Sequence, residues 1–230
     1  MAMAQVQSAN TVGYQDITTE TDGFTSVCPS FVKVGTQTAT TLADISGTFI
    51  EGESIQFIDT EAATADEYFY CVKGSLVTTD SGWYESDFET PAGTTAIPIG
   101  GSVLYQSLGT DTIRFCGEVN EADVVVSAED EGFTAVGNPF PVDTTLSAVT
   151  FTGLAEGDSI QFLDSEAGTA EEYFYCVKGS LVTTDTGWYE SDFETPAGTT
   201  EIGAGVGFLY QNASESSNVT ISFSAPTISL

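Results

Sequence analysis

Short runs in which apolar and polar positions alternate recur along the chain, and a period of two predicts strands rather than helices. Residues 54–58 read Ser54-Ile55-Gln56-Phe57-Ile58, residues 102–106 read Ser102-Val103-Leu104-Tyr105-Gln106, and residues 112–115 read Thr112-Ile113-Arg114-Phe115. Residues 67–72 add an aromatic strand, Glu67-Tyr68-Phe69-Tyr70-Cys71-Val72. Clusters of Gly, Pro, Asp and Thr separate the runs, and Asp80-Ser81-Gly82 and Pro91-Ala92-Gly93 carry turn chemistry. Only residues 60–66, around Glu61-Ala62-Ala63, have the composition of a helical turn. The spacing predicts an all-β chain with roughly seven or eight strands per hundred residues, the density of a β-sandwich.

The pattern repeats. Residues 67–95 and 172–200 agree at 28 of 29 positions, the exception being Ser81 against Thr186. Cys71 aligns with Cys176, an offset of 105 residues, and Ser54-Ile55-Gln56-Phe57 aligns with Ser159-Ile160-Gln161-Phe162 at the same offset. Upstream, Gly23-Phe24-Thr25 matches Gly132-Phe133-Thr134 at an offset of 109, so the first copy carries about four extra residues between Lys33 and Asp44. Two tandem β-sandwich-like repeats of about 105 residues follow. Residues 15–118 form the first repeat and 119–230 the second, joined by a short linker, with residues 5–14 as an N-terminal strand or arm. Ala2-Met3-Ala4 has the small-x-small form of a signal-peptidase site, so residues 1–4 read as a signal-peptide remnant and the protein as secreted. A cloning remnant is the alternative.

The motifs around these strands resemble a repeat found in uncharacterised secreted proteins of environmental outer-membraned bacteria. Those proteins start with SAN-x-VGY after the signal peptide, here Ser8-Ala9-Asn10-Thr11-Val12-Gly13-Tyr14. Their units carry G-[DE]-[ST]-I-Q, G-W-Y and P-A-G, matched by residues 52–56, by Gly82-Trp83-Tyr84 and by Pro91-Ala92-Gly93. The second copy matches with residues 157–161 and Gly187-Trp188-Tyr189. The resemblance covers nearly the whole chain and implies a fold but no activity. This chain departs from the pattern in its four cysteines and few basic residues.

Charge narrows the function classes. Thirty-four acidic residues face four basic ones, Lys33, Lys73, Arg114 and Lys178, a formal net charge of −30. Nucleic acids and anionic lipids are recognised through Lys and Arg, so neither is an expected partner. Histidine is absent, which excludes Ser-His-Asp and Cys-His catalysis and His-ligated metals. Thirty-four carboxylates always supply some glycosidase-like pair, so such a pair has no specificity, and the chain reads as a non-enzyme. No stretch of about 18 apolar residues is present, so no transmembrane helix is expected.

Four groups of residues are candidates for special roles. Cys28 aligns with Gly137 and Cys116 aligns near Ser224, so one copy has cysteine at both places and the other has small residues at both. That pairing predicts a Cys28–Cys116 disulfide. Cys71 and Cys176 are buried thiols, partners across a pseudo-twofold axis, or bonded to another subunit, and Lys73 and Lys178 beside them, at equivalent positions of the two copies, are candidate docking cations for a neighbour's carboxylates. Asp80, Glu85, Asp87 and Glu89, repeated as Asp185, Glu190, Asp192 and Glu194, would put three carboxylates on one face if extended, a candidate Ca²⁺ or Mg²⁺ site against the commoner solvated face. Trp83, Tyr84, Trp188 and Tyr189 are either sugar-stacking platforms or core packing.

The expected function is a self-assembling structural protein, a homo-oligomer or polymer forming an extracellular or cell-surface layer, tube or fibre. A carbohydrate-binding or adhesive module is the alternative. Divalent cations are expected to aid assembly by relieving repulsion. The N-terminal arm, residues 5–14, is expected either to pair with a neighbouring subunit's sheet or to fold back on the first repeat.

Overall fold

The computed structural model describes residues 11–59, 64–77, 79–109, 112–130, 132–164, 169–182, 184–213 and 219–227. The chain is all-β, with one short 3₁₀ turn at Leu42–Asp44 among these residues. The first repeat runs β1 Val12–Thr18, β2 Phe24–Val27, β3 Ser46–Gly47, β4 Ser54–Asp59, β5 Thr64–Cys71, β6 Gly82–Glu85, β7 Val103–Gln106 and β8 Thr112–Glu118. The second runs β9 Val124–Ser127, β10 Gly132–Gly137, β11 Thr144–Thr145, β12 Thr150–Thr152, β13 Ser159–Asp164, β14 Thr169–Cys176, β15 Gly187–Glu190, β16 Glu201–Ile202, β17 Gly207–Asn212 and β18 Thr220–Phe223.

Each repeat is a two-layer antiparallel sandwich. In the first, a five-stranded sheet ordered β2-β7-β4-β5-β6 faces a three-stranded sheet ordered β1-β8-β3. In the second, β10-β17-β13-β14-β15 faces β12-β18-β9, with β11 and β16 as a small extra pair. Alternation along β8 shows why the layers close: Ile113 and Phe115 are buried while Thr112, Arg114 and Cys116 face out. Ile55, Tyr105 and Trp83 from the large sheet meet Ile113 and Phe115 in one core, and Ile160, Tyr210, Trp188 and Ile221 do the same in the second repeat. Each fully buried Ile or Phe contributes on the order of 1.5–3 kcal/mol relative to exposure.

Two expectations about the strands change, and one open alternative is decided. Thr64-Ala65-Asp66 open β5 and pair with Asp59, Ile58 and Phe57, so the helical-turn composition there yields to the hairpin partner; residues 60–63 lie outside the described residues. The N-terminal strand is not separate from the first repeat, because β1 crosses the expected boundary at residue 14 and pairs with β8 of the same chain from Val12↔Glu118 to Thr18↔Thr112. Residues 12–14 therefore fold back in cis rather than onto a neighbour; residues 1–10 lie outside the described residues. The counterpart of β1 in the second repeat is β9, which pairs with β18 as β1 pairs with β8.

The two sandwiches meet across a pseudo-twofold seam. Val27, ending β2, bridges to Val206, and the equivalent Val136, in β10, bridges to Gly101. The Cys28 N–H donates to the Gly205 carbonyl at 2.8 Å, and the Gly137 N–H donates to the Gly100 carbonyl at 3.0 Å. Each repeat thus lends a turn, 98–101 or 203–206, to the other's edge strand. Small residues line the approach, with Ser26 and Ser102 opposite Gly207. Such a reciprocal contact closes on itself.

The seam corrects the disulfide expectation. All four thiols are free: Cys28 is buried in the seam, whereas Cys116 is exposed on the outer face of β8. Cys28 and Gly137 differ for another reason. These equivalent positions touch each other near the axis, where a Cβ on Gly137 would stand 2.3 Å from Cys28 Cβ. Only one of the pair can carry a side chain. The apparent covariation with position 116 has no structural link to it.

Candidate functional site

The near-identical block occupies β5, β6 and their connections, and its equivalent occupies β14 and β15. The main contacts across the seam join β2 with β13 and β17, and β4 with β10. Strand order then puts β6 and β15 at the sheet margins farthest from the seam. The two copies of the block accordingly face outward at opposite sides of the molecule.

Locally, the block is held by its own side chains. The connection after β5 folds back so that Lys73 and Val77 bridge, and Lys73 N–H donates to Ser81 Oγ at 2.9 Å. Lys73 Nζ pairs with Asp80 Oδ1 at 3.1 Å and Lys178 with Asp185 at 3.3 Å. Both lysines therefore have a carboxylate partner in cis, although their side chains are 59% and 60% exposed, and such exposed pairs contribute little. Lys33 pairs with Asp44 and Arg114 with Asp16, so every basic side chain has an acidic partner within the chain.

The proposed metal faces do not form. β6 ends at Glu85 and the chain turns, with Phe88 at φ 56° and its N–H bonded to the Glu85 carbonyl. Asp87 stabilises this turn: Oδ1 accepts the Glu89 and Thr90 N–H groups, both at 2.9 Å, and Oδ2 accepts the Thr90 hydroxyl. Those bonds, the Thr90 N–H first, hold its carboxyl below the usual range, and Asp192 is held down in the same way. An aspartate committed to a turn cannot also share a strand face with Glu85 and Glu89, or with Asp80 across the loop. The same holds for Asp185, Glu190, Asp192 and Glu194. Among the described residues no three acidic or thiol side chains come together to hold a metal ion.

The thiols of the block are buried singly. Cys71 packs with Val77, Tyr84 and Phe69, and Cys176 with Val182, Tyr189, Phe174 and Phe193, each in a small cluster of its own repeat. Burial, with Glu51 adding to it, pushes the Cys71 thiol up; burial and Glu156 do the same at Cys176. They do not meet across the axis.

The indoles and phenols are core residues rather than platforms. Trp83 and Tyr84 are 4% exposed, Trp188 6% and Tyr189 3%. Tyr84 donates its hydroxyl to the Asp80 carbonyl at 2.7 Å and bonds Thr79 at 2.7 Å, and Tyr189 repeats both contacts. Trp83 packs edge-on against Phe49 and Tyr70, with ring centroids 5.2 and 5.5 Å away. Beside this trio a cleft of about 550 Å³ opens between the block, with Asp80, Ser81 and Trp83, and an opposite wall including Ala43, Ser46 and Phe49. The equivalent cleft in the second repeat measures about 340 Å³.

A repeated pair of buried carboxylates escaped the sequence reading, as did the singly buried Glu118. Glu53 and its equivalent Asp158 are both 0% exposed. Glu53 accepts the Tyr105 hydroxyl at 2.7 Å and the Ile50 N–H at 2.9 Å; Asp158 accepts the Tyr210 hydroxyl at 2.7 Å and the Ala155 N–H at 2.9 Å. Burial, then the Asp158 carboxylate, raises the Tyr210 phenol above its ordinary value. The signal was present, since the acid of G-[DE]-S-I-Q and the tyrosine of L-Y-Q both recur at the 105-residue offset. These pairs tie a turn to the sheet core.

No protein-family model, curated protein or solved structure matches the chain.

Proposed function

We propose that the chain is a secreted, non-catalytic structural protein that associates with copies of itself, through its two outward margins, into an extracellular or cell-surface layer, tube or fibre. The observation that carries this reading is the placement of two near-identical, largely solvent-facing blocks at opposite margins, away from a seam that already satisfies itself. Core packing accounts for identity at buried positions; it does not account for identity at exposed ones such as Val72, Leu76 and Lys73. Leu76 is 55% exposed and Leu181 56%, so each margin presents the same apolar contact. A molecule with two equivalent contacts is bivalent, and bivalent association propagates into a fibre or layer when the rotation between successive copies does not close a ring.

The carboxylates at each margin repel on approach, so added salt or Ca²⁺ promotes the contact. Sedimentation velocity and negative-stain microscopy of the full chain across a salt series test the reading. Extended assemblies are expected from the parent protein, pairs from Leu76→Asp alone, and monomers from Leu76→Asp with Leu181→Asp. A parent protein that stays monomeric at every concentration and ionic strength refutes it.

The glycan-binding alternative has one observation in its favour, the aromatic-walled cleft of the first repeat.

A further inference from the structure

We propose that this cleft binds a neutral oligosaccharide, one per chain, independently of assembly. Its volume of about 550 Å³ falls within the range of small-ligand sites, about 300–1,000 Å³. The half-buried rings of Phe49, from the wall of residues 42–49, and Tyr70, from β5, meet at the cleft floor over the buried Trp83, the kind of surface on which the C–H face of a sugar packs. The rim is polar. Asp80 uses Oδ1 for Lys73 and its carbonyl for Tyr84, leaving Oδ2 as an acceptor. The Ser81 oxygen accepts the Lys73 N–H, leaving its hydroxyl proton to donate.

Charge selects within the polar ligands. A chain of net charge −30 repels anionic glycans. Lys73 already balances Asp80, so the rim has no uncompensated charge to attract a cation. Hydroxyl groups suit both the free acceptor and the free donor. The second repeat keeps the block's wall, with Asp185, Thr186 and Trp188, but its cleft is about 340 Å³. The walls opposite differ: β12 is a three-residue strand paired with β18, whereas β3 pairs over only two residues with β8. The first repeat is therefore the assigned site.

Isothermal titration and tryptophan fluorescence of monomeric full-length protein, with neutral cello- and chito-hexasaccharides and an anionic uronate hexasaccharide as probes, test the proposal. Saturable binding of a neutral probe at one site per chain is expected. Ala43→Trp, at an exposed lining position, fills the cleft and abolishes binding. Ser147→Trp fills the second cleft and leaves binding unchanged. Asp80→Ala, at a side chain 93% exposed and so without a folding role, weakens binding by about tenfold or more. No saturation by either neutral probe, preference for the anionic one, or binding that survives both Ala43→Trp and Asp80→Ala overturns the assignment. Because the monomer is used, failure here says nothing against assembly, and failure to assemble says nothing against the cleft.

Discussion

Replacing Gly137 by alanine adds one methyl group where the two repeats touch nearest their axis. That carbon would stand 2.3 Å from Cys28 Cβ, 2.9 Å from the Val206 carbonyl oxygen and 3.1 Å from Cys28 Sγ. None of these atoms can withdraw freely. Cys28 is fully buried and tied by its N–H to Gly205, and the Val206 carbonyl accepts the Asn138 N–H at 3.1 Å. Gly137 does not have a positive φ, so the cost comes from contact and not from backbone strain. Overpacking of this kind costs about 1–3 kcal/mol. Stretching the Gly137–Gly100 or Asn138–Val206 bond adds about 0.5–1.5 kcal/mol for each one lost.

Gly137→Ala is therefore expected to destabilise the chain by about 2–4 kcal/mol, lowering Tm by on the order of 5–15 °C for a chain of this size. Calorimetry and urea denaturation measure the effect. Cys28→Gly carries its own penalty from lost burial and added chain entropy, but it removes two of the three atoms that Gly137→Ala strikes, leaving only the Val206 carbonyl. The penalty measured in the double variant should fall short of the sum of the two single penalties by at least about 1 kcal/mol. Cys28→Ala, which keeps Cβ, should not rescue. A Tm for Gly137→Ala within about 1 °C of the parent, or a coupling near zero, would refute the reciprocal seam.

Tyr210→Phe leaves the Asp158 carboxylate buried without its hydroxyl donor, and a loss of about 1–3 kcal/mol in urea denaturation is expected, with Tyr105→Phe behaving alike on Glu53. The Tyr210 phenol is raised in the folded state, so its contribution is fully present below the ordinary tyrosine pKa near 10 and is lost as pH climbs above it. A parent Tm that falls above pH 10 and a flatter alkaline limb in Tyr210→Phe are the readout. Asp87 and Asp192, held down by turn N–H groups, act in the opposite sense: their contribution is present above about pH 4 and is lost as pH falls through their lower folded values. Asp87→Ala should accordingly flatten the acid limb of the Tm–pH curve. Finally, Cys116 is the one exposed thiol among the four, so a thiol reagent should label one cysteine quickly under native conditions and four after denaturation; two slow thiols that label only after reduction would reveal a bond instead.

The strands, the repeat and the layer architecture were legible because each rests on local pattern. The alternation in residues 54–58 and 112–115 became β4 and β8, and the 105-residue offset became matching registers, Ser54↔Phe69 and Ser159↔Phe174. The site was less legible. Residues 85–89 look like an alternating acidic strand, but hydrogen bonding by Asp87 competes with the ladder and wins, as short acidic side chains often do at turns. Trp83 and Tyr84 could be read as platforms or as core, and the fold buries both on opposite faces of β6: Trp83 under residues 42–49 of the facing layer, Tyr84 under the connection after β5 with Val77 and Cys71. Alternation alone cannot report such an overlap, since it depends on where residues 42–49 pass in space. The cleft is composed in the same way, from segments that only the fold brings together.

The seam explains why the two copies differ where they do. In a dimer of identical chains, residues that touch across the twofold axis must suit themselves as well as each other. Fusion of two repeats into one chain releases that constraint, and complementary pairs can replace identical ones. Cys28 against Gly137 is one such pair. The turns show another: Gly100 packs against Val124 and Val126 of β9, while its equivalent Gly205 packs against Gln15 of β1, whose amide donates to the Ala204 carbonyl. One half of the seam is apolar and the other polar, although both have the same backbone geometry. The polar half is imperfect, because Gln15 Oε1 is buried with no partner among the described residues. The outward margins face no equivalent of themselves within the chain, so nothing inside the molecule drives them apart in sequence, and the proposed contact with further copies would require them to stay the same.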